Sequence, residues 1–295
     1  MPFEQTVLLL QGGGALGPYQ AGVAVLPTRL NGLRLTRSPG RPFNQGDHNQ
    51  KTRYLTTHDV CQHKLWRSAL GMSGPKLIVQ PDDGEKPVVN FLKSVRKTVA
   101  LKQFTFTHPI LLDTVMALHQ KGVRVRVMLN GAKTTGERLN DPFFETMKST
   151  GIEVQWSNPS FLVTHEKSIV VDGKSALLAT FNFMEKYFQA TRDYGVLTSD
   201  PAQVAQVQKC FDCDWKREPF HPHDDAGLAW SPENARHLVC KFIDGAHKTI
   251  DVQHPKFAEP VIPVALGGEQ FCEVDIGLLG DVVVHFDWIH RRDGG

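Results

Sequence analysis

The sequence predicts an α/β protein, in which a layered domain of helices and strands is followed by an incomplete second copy of itself. Apolar patterns of strand length and helix length alternate along the first domain, as they do in layered α/β folds. Two short apolar segments then form a hairpin pattern over residues 168–179. From Ser231 onward the chain repeats, 151 residues later, the pattern that begins at Gln80.

The elements of the first domain begin at Lys76. Apolar residues recur at helical spacing after Pro81, and the segments that follow alternate between the periods of strands and helices. In chain order we expect a strand at 77–80, a helix from Pro81 with its apolar face reaching Val99, a strand at 101–106, a helix at 110–120, a strand at 123–129, a helix at 142–148 and a strand at 152–156. Valines at 204 and 207, with Cys210 and Phe211, predict the buried side of a later helix.

The composition is that of a packed globular protein with little net charge. Of 295 residues 41% are apolar, and the formal net charge is only +2, which does not indicate a nucleic-acid partner. No apolar run approaches eighteen residues and the first apolar segment lacks a basic flank, so neither a membrane-spanning helix nor a secretory signal is expected. Five scattered cysteines favour a reducing compartment. We therefore expect a cytoplasmic protein, with peripheral contact at a membrane left open.

Residues 164–173 carry the most specific pattern of the chain. In an extended strand alternate side chains share one face, so His165 and Lys167 are expected to converge on one small anion. A turn and a second apolar run follow, and they return Thr180 and Asn182, again two residues apart, to the same end of the hairpin. An imidazole, an ammonium, a hydroxyl and an amide at one place predict a phosphate-binding site.

The complete spacing resembles the motif of the phospholipase D superfamily, including its cardiolipin synthase-like members. It consists of His165-x-Lys167, then Asp172, then Thr180-x-Asn182. The family usually has Gly-Ser where this chain has Ala179-Thr180, so the hydroxyl is kept. The resemblance covers residues 76–218 and implies a layered α-β-α domain with a mixed sheet.

The resemblance also implies a role for each residue. His165 would be the nucleophile that forms a phosphohistidine, and Asp193 would orient its imidazole through a hydrogen bond. Lys167, Thr180 and Asn182 would bind the phosphoryl oxygens, while Asp172 would support the site from behind. No metal and no cofactor are expected, since lysine and asparagine donors stabilise the charge on the phosphoryl group. The predicted catalytic set is His165, Lys167, Asp172 and Asp193.

The second copy is expected to span residues 228–262, with a divergent tail at 263–295 in which residues 282–286 match no motif strand. The offset of the repeat would place a second H-x-K at residue 316, outside the 295 residues of the sequence. In the family two histidines face each other, one attacking phosphorus and the other protonating the leaving alcohol. We therefore expect either a homodimer that completes the site, as in single-motif members of the superfamily, or a reduced activity.

The N-terminal block, residues 1–30, contains a glycine loop between a short strand and an expected helix from Tyr19 to Val25. Such a loop points backbone N–H groups at an anion, and this one resembles the oxyanion loop of patatin-like phospholipases. The serine motif of those enzymes is absent, a dinucleotide fingerprint lacks its acidic residue, and a structural turn is the favoured interpretation. Residues 31–75 are rich in turn formers and predict a poorly ordered linker. The candidate oxyanion-loop residues are Gly12, Gly13, Gly14 and Gly17.

The sequence thus predicts a phospholipase D-like phosphodiesterase or phosphatidyltransferase, acting on a phospholipid or another phosphodiester. Two alternatives stay open, a phosphate-ester-binding protein without turnover and a patatin-like acyl hydrolase. The low net charge weighs against a nuclease, and the glycine loop weighs towards lipid. The Cys210-x-x-Cys213 spacing is expected to be incidental, because no second pair completes a zinc site.

Overall fold

The computed structural model describes the backbone of residues 6–9, 20–25, 75–223, 226–244, 249–254 and 282–287, and the side chains within 75–223 and 226–242. Its strands are β1 (Thr6–Leu9), β2 (Gln20–Val25), β3 (Lys76–Gln80), β4 (Thr98–Gln103), β5 (Arg124–Leu129), β6 (Glu153–Trp156), β7 (Val163–Thr164), β8 (Ser168–Val171), β9 (Ser175–Ala179), β10 (Asp193–Thr198), β11 (Leu228–Ser231), β12 (Thr249–His254) and β13 (Val282–Asp287). Its helices are α1 (Lys86–Lys93), α2 (Pro109–Gln120), α3 (Asp141–Ser149), α4 (Glu185–Gln189), α5 (Pro201–Lys216) and α6 (Ala235–Asp244).

A seven-stranded mixed sheet forms the centre of the domain, in the order β3-β10-β9-β8-β4-β5-β6. Strands β4, β5 and β6 run parallel and are connected by helices, as parallel neighbours require. Strand β8 pairs antiparallel with both β4 and β9, so the hairpin of β8 and β9 is inserted into the middle of the sheet. The mixed sheet that the sequence predicts is therefore confirmed.

Apolar side chains cover both faces of this sheet. One face packs against α1, α2, α3 and α4 through residues such as Leu92, Val115 and Met147. The other face packs against α5 and β11 through residues such as Phe211 and Trp230. Two separate cores on opposite faces make a three-layered α-β-α domain, which confirms the predicted fold class.

Most element bounds agree with the prediction, but the first helix and the strand after it do not: the strand expected at 101–106 is β4, which spans Thr98–Gln103. The expected elements at 77–80, 110–120, 123–129, 142–148 and 152–156 match their observed counterparts to within one residue at each end. The helix expected to reach Val99 ends instead at Lys93, and Val99 belongs to β4. The side chain of Asp172 accepts hydrogen bonds from the backbone N–H groups of residues 96–98. These N–H groups therefore do not continue the helix, and the chain enters β4 at Thr98.

The turn between β8 and β9 has the predicted position. Asp172 and Gly173 have φ angles of 53° and 63°, and the N–H of Lys174 donates to the carbonyl of Val171 at 2.9 Å. Two consecutive positive φ angles favour an Asp-Gly pair, because glycine has no Cβ and aspartate tolerates the left-handed region. The turn brings β9 back beside β8.

Three elements of the C-terminal part recur 151 residues after their counterparts: β11 after β3, α6 after α1, and β12 after β4. Strand β12 pairs antiparallel with β13 and parallel with β1, as β4 pairs with β8 and β5. Ile250 faces Phe286 where Val99 faces Val171. Strand β13 therefore takes the sheet position of β8, and the expectation that residues 282–286 match no motif strand is wrong. The domain bounds 228–262 and 263–295 stay predictions.

Candidate functional site

The H-x-K segment, His165–Lys167, lies between β7 and β8 at one end of the central sheet. The sequence placed His165 and Lys167 inside a strand, whereas β8 begins only at Ser168. The N–H of Ala179 donates to the carbonyl of Lys167 at 2.9 Å, so the end of β9 lies beside the segment. Residues 180–182 follow at once, and the predicted phosphate-binding residues therefore meet at this end of the sheet.

The side chains of His165 and Lys167 are in direct contact. The Nζ atom of Lys167 lies 3.1 Å from Nδ1 and 3.2 Å from Nε2 of His165, and it donates to the carbonyl oxygen of His165 at 2.7 Å. Phe104 packs against both groups. Its ring centroid lies 4.6 Å from the centroid of the imidazole and 5.2 Å from Nζ of Lys167. An aromatic side chain that the sequence analysis did not single out thus forms one wall of the site.

Burial controls the protonation of both groups. Lys167 is only 1% exposed, and this burial lowers its pKa well below the ordinary value, against the opposing charges of Asp193 and Glu166. Burial, followed by the charge of Lys167, lowers the pKa of His165 well below 6.5. The lowered pKa favours the neutral imidazole, the form in which a histidine can act as a nucleophile. Among residues 75–223 and 226–242, no carboxylate forms an ion pair with Lys167.

Asp193 holds Thr180 rather than the imidazole. It accepts hydrogen bonds from the hydroxyls of Thr180 and Thr191, each at 2.6 Å. Within the described residues no hydrogen bond joins it to His165. The hydroxyl of Thr180 also accepts from the N–H of Tyr194 at 2.9 Å, so its single proton is already committed to Asp193. The expected orienting role of Asp193 is thus replaced in this structure by fixation of Thr180.

Asn182 presents an amide with an unused acceptor. The residue is 5% exposed, and its Oδ1 atom is buried with no hydrogen-bond partner in the described part of the chain. Its backbone is fixed, because its carbonyl accepts from Met184 and the next residue, Phe183, donates to Thr105. Because Oδ1 is an acceptor and cannot bind an anionic phosphoryl oxygen, a phosphate contact from Asn182 would come from its Nδ2 donor.

Asp172 lies at the opposite end of β8 from His165, so its place in the predicted catalytic set is wrong. Its carboxylate accepts from the N–H groups of Arg96, Lys97 and Thr98 at 2.8, 2.7 and 2.9 Å. Burial alone would raise the pKa of Asp172, but these three donors lower it. The residue anchors the start of β4 to the β8–β9 turn, which is a structural role.

Two buried asparagines, which the sequence analysis did not identify, hold the backbone next to His165 and Phe104. Asn130 accepts the N–H of Thr164, directly before His165, at 2.8 Å. Asn140 accepts the N–H of Phe106 at 2.8 Å and donates to the carbonyls of Phe104 and Asn130, both at 2.9 Å. Both lie in loops that follow β5, where asparagine is ordinary, so their spacing gave no signal.

On the other face of the sheet, a buried lysine lies among three acidic or thiol groups. The Nζ atom of Lys102 lies 2.7 Å from Glu166, 2.6 Å from Asp214 and 3.5 Å from Sγ of Cys210. The ligand atoms of Glu166, Cys210 and Asp214 are close enough to hold a metal ion, but the ammonium of Lys102 already lies among them. Cys210 and Cys213 are buried on α5, which confirms the predicted helix.

The N-terminal glycine loop, with Gly12, Gly13, Gly14 and Gly17, lies outside the described residues. The segment after it is strand β2 rather than the expected helix, and it pairs with β11 and β7. Its valines and alternating pattern favour a strand. Without a helix the loop loses the helix N-terminus on which the predicted anion site depended.

Comparison with known proteins supports the central domain. Residues 88–215 match the family described as "Cardiolipin synthase, PLD-like domain". A mitochondrial cardiolipin hydrolase from Chlamydomonas reinhardtii is 30% identical over 129 residues, which cover 43% of this chain and 55% of that protein. The chain thus spans about half the length of this curated relative.

Two solved structures are similar. Nuc from Salmonella typhimurium, titled a phospholipase D family member, aligns with a TM-score of 0.44 and 17% identity over 51% of this chain and all of that chain. A polyphosphate kinase from Porphyromonas gingivalis aligns with a TM-score of 0.51 and 18% identity, covering 65% of this chain and 35% of the other. The family match over residues 88–215 and the layered mixed sheet thus agree with a phospholipase D-like domain in this part of the chain. These matches do not bear out the patatin-like resemblance of the first residues.

Proposed function

We propose that this phospholipase D-like domain is a phosphodiesterase or phosphatidyltransferase that acts through a phosphohistidine at His165. The observation that carries the proposal is the direct contact between the half-buried imidazole of His165 and the buried Nζ atom of Lys167. Lys167 forms no ion pair with any carboxylate of the described residues, so a bound phosphate would supply the counter-charge that favours its ammonium form. Asn182 adds a buried amide at the same end of the sheet.

The first chemical step follows from these groups. A ring nitrogen of His165 attacks phosphorus, an N–P bond forms, and the P–O bond to one alcohol breaks. Lys167 and Asn182 bind the non-bridging oxygens, on which charge develops. The departing alkoxide takes a proton from a general acid. Water or a second alcohol then attacks the phosphohistidine and gives its proton to the conjugate base of the general acid. The N–P bond breaks, the phosphoryl group is hydrolysed or transferred, and both the imidazole and the acid are regenerated.

Within the described residues no second histidine contacts His165, so the general acid is proposed to come from another chain. We propose that two chains associate about a two-fold axis, so that one His165 attacks as the neutral imidazole while the partner's His165 carries the proton and serves as the acid. The negative charge of the bound phosphodiester would raise the pKa of the partner's imidazole and allow it to hold that proton. General acid catalysis contributes about a hundred- to ten-thousand-fold in rate, so a monomer would be severely impaired.

A phospholipid is the proposed substrate class. The name of the Chlamydomonas reinhardtii relative refers to cardiolipin, and the net charge of +2 weighs against nucleic acid. Leu162, three residues before His165, is 65% exposed, and an apolar side chain there suits peripheral contact with a bilayer surface. None of the described helices is both long enough and apolar enough to span a membrane.

Covalent labelling tests the proposal. Protein is mixed with a phosphodiester that carries ³²P and quenched in base, in which a phosphohistidine is stable. We expect label in the wild-type protein, its loss on later acidification, and none in His165→Asn. A phosphatidyl substrate and a dinucleotide are compared, and stronger labelling by the dinucleotide would contradict the lipid assignment. Equal labelling of His165→Asn would overturn the phosphohistidine.

A second candidate is a protein that binds a phosphate ester without cleaving it. The observation that favours it is that no second histidine contacts His165 within the described residues. Lys167 and Asn182 could still bind a phosphate whether or not a general acid is present. Calorimetric titration with a phosphonate analogue, run beside the labelling experiment, separates the two. Tight binding that Lys167→Met abolishes, with no covalent adduct under any condition, would favour the binding protein.

A further inference from the structure

Glu166, the central residue of the H-x-K segment, belongs to a buried cluster on the face of the sheet opposite to His165. Lys102, with no exposed surface, donates to Oε2 of Glu166 at 2.7 Å and to Asp214 at 2.6 Å. The hydroxyl of Ser168 donates to the other carboxylate oxygen of Glu166 at 2.6 Å. Both oxygens of Glu166 are therefore fixed, and so is the backbone between the imidazole and Lys167.

The cluster connects the segment to two other elements. Lys102 lies on β4, and Asp214 lies on α5, together with Cys210, whose Sγ atom is 3.8 Å from both carboxylates. Any movement of the H-x-K segment away from the sheet would break contacts with both β4 and α5. The H-x-K segment precedes β8, which begins only at Ser168, so the side chain of Glu166 holds the segment where strand pairing does not.

A contribution to stability does not by itself explain why these charged side chains are buried together. Burial by itself lowers the pKa of Lys102, but the charges of Glu166 and Asp214 raise it well above its ordinary value, so the ammonium persists. Burial raises the pKa of the Cys210 thiol, which stays neutral. One cation then serves two carboxylates in the interior. Apolar residues of similar volume often match or exceed the stability of such a buried group, which points to a role other than stability.

We propose that Lys102, Glu166 and Asp214 are positioning residues, which hold the H-x-K segment so that the imidazole of His165 and the ammonium of Lys167 stay together in a closed pocket. The proposal rests on the proposed function of His165. Glu166 has a second effect, because its charge opposes the lowering of the Lys167 pKa and so favours the ammonium form. None of the three residues needs to touch the substrate.

A variant without charges tests the positioning role. In Lys102→Met/Glu166→Gln/Asp214→Asn no charge is left buried, and we expect the protein to fold. The loosened segment admits water to the imidazole, so the pKa of His165, measured by NMR of labelled histidine, rises towards its ordinary value. Turnover of bis(p-nitrophenyl) phosphate should fall about a hundred-fold, the effect of displacing catalytic groups by about 1 Å.

The control is a second ion pair between the sheet and α5. Arg126 and Asp212 lie 2.9 Å apart and join β5 to α5 without touching the H-x-K segment. Arg126→Met/Asp212→Asn should leave the pKa of His165 and the turnover unchanged. An equal shift in this control, or an unchanged His165 pKa in the folded triple variant, would overturn the positioning role.

A second variant and a readout independent of turnover test the positioning role if the triple variant does not fold or if no turnover is found. If the triple variant does not fold, Ser168→Ala releases only one oxygen of Glu166 and should raise the pKa of His165 in the same direction by less; no change would count against the proposal. The NMR measurement does not depend on turnover. If the wild-type protein cleaves no phosphodiester, the proposed function fails, while the pKa comparison still decides whether the cluster holds the segment.

Discussion

The Nζ atom of Lys167 lies within 3.2 Å of both ring nitrogens of His165, while the same atom donates to the carbonyl oxygen of His165 at 2.7 Å. Nζ is therefore nearly equidistant from the two ring nitrogens, and an anion that binds Lys167 is brought close to the nucleophile. The ring of Phe104 packs against both groups. Low accessibility strengthens every electrostatic interaction in the pocket.

The first prediction concerns the pH dependence of labelling. The nucleophile is the neutral imidazole, and burial with the nearby Lys167 charge lowers its pKa well below 6.5. The acidic limb of the rate of phosphohistidine formation, which reports protonation of the nucleophile and is measured by single-turnover quench, should therefore lie well below pH 6.5. An acidic limb with its midpoint at or above 6.5 would contradict a desolvated imidazole.

The same shift has a consequence for stability. The unfolded chain binds a proton at His165 near pH 6.5, whereas the folded protein resists protonation there. The contribution of His165 is thus fully present above pH 6.5 and is lost as the pH falls towards the lowered pKa. Urea denaturation should show a larger loss of unfolding free energy between pH 7 and pH 5.5 in the wild type than in His165→Ala.

The second prediction separates Asp172 from catalysis. Asp172→Ala removes an acceptor from three backbone N–H groups and places alanine at a φ of 53°. Unsatisfied donors and the strained turn should lower the unfolding free energy by about 2–4 kcal/mol. Asp172→Asn tolerates this φ and keeps one acceptor oxygen, so it should lose less stability. In both folded variants the rate of labelling at His165 should stay within about two-fold of wild type. A large loss of labelling in a fully folded variant would show that Asp172 contributes to catalysis.

Much of the domain follows from local sequence, because its strands and helices have clear apolar periods. The H-x-K segment and the hairpin that returns Thr180 and Asn182 were found in the same way, from spacing alone. Asp172 was misassigned because its partners, the N–H groups of residues 96–98, are more than seventy residues away and leave no trace in the local pattern. A family motif groups residues by position in the sequence, whereas a short strand separates its two ends in space.

The cluster around Lys102 could not be inferred for a similar reason. Lys102 reads as a polar residue in an apolar strand, and Glu166 as an ordinary residue between two motif positions. Their ion pair joins β4 to the H-x-K segment across 64 positions of sequence. Only the antiparallel pairing of β4 with β8, in which Lys102 faces Ser168, brings them together.

The third prediction concerns Thr180. Its hydroxyl donates to Asp193 at 2.6 Å and accepts from the N–H of Tyr194 at 2.9 Å. Thr180→Ser keeps both hydrogen bonds and should label within about two-fold of wild type. Thr180→Ala removes both bonds and lets Asp193 shift, which should lower the labelling rate by up to about a hundred-fold, the effect of a small displacement of supporting groups, measured by the same quench. Equal rates in the two variants would exclude a role for the hydroxyl.

The last prediction tests whether two chains share one site. If each active pair needs His165 from both chains, turnover should fall as the square of the wild-type fraction when wild type is refolded with His165→Asn. An equal mixture would keep about a quarter of the turnover, against half if each chain acts alone. Arg124→Met, which removes an exposed ion pair with Glu153, replaces His165→Asn in the control and should leave turnover unchanged at every ratio. Sedimentation of the same samples reports the dimer directly. A linear dependence on the wild-type fraction, or full turnover by a monomer, would rule out the shared site, because the square law arises only when both histidines act on one phosphodiester.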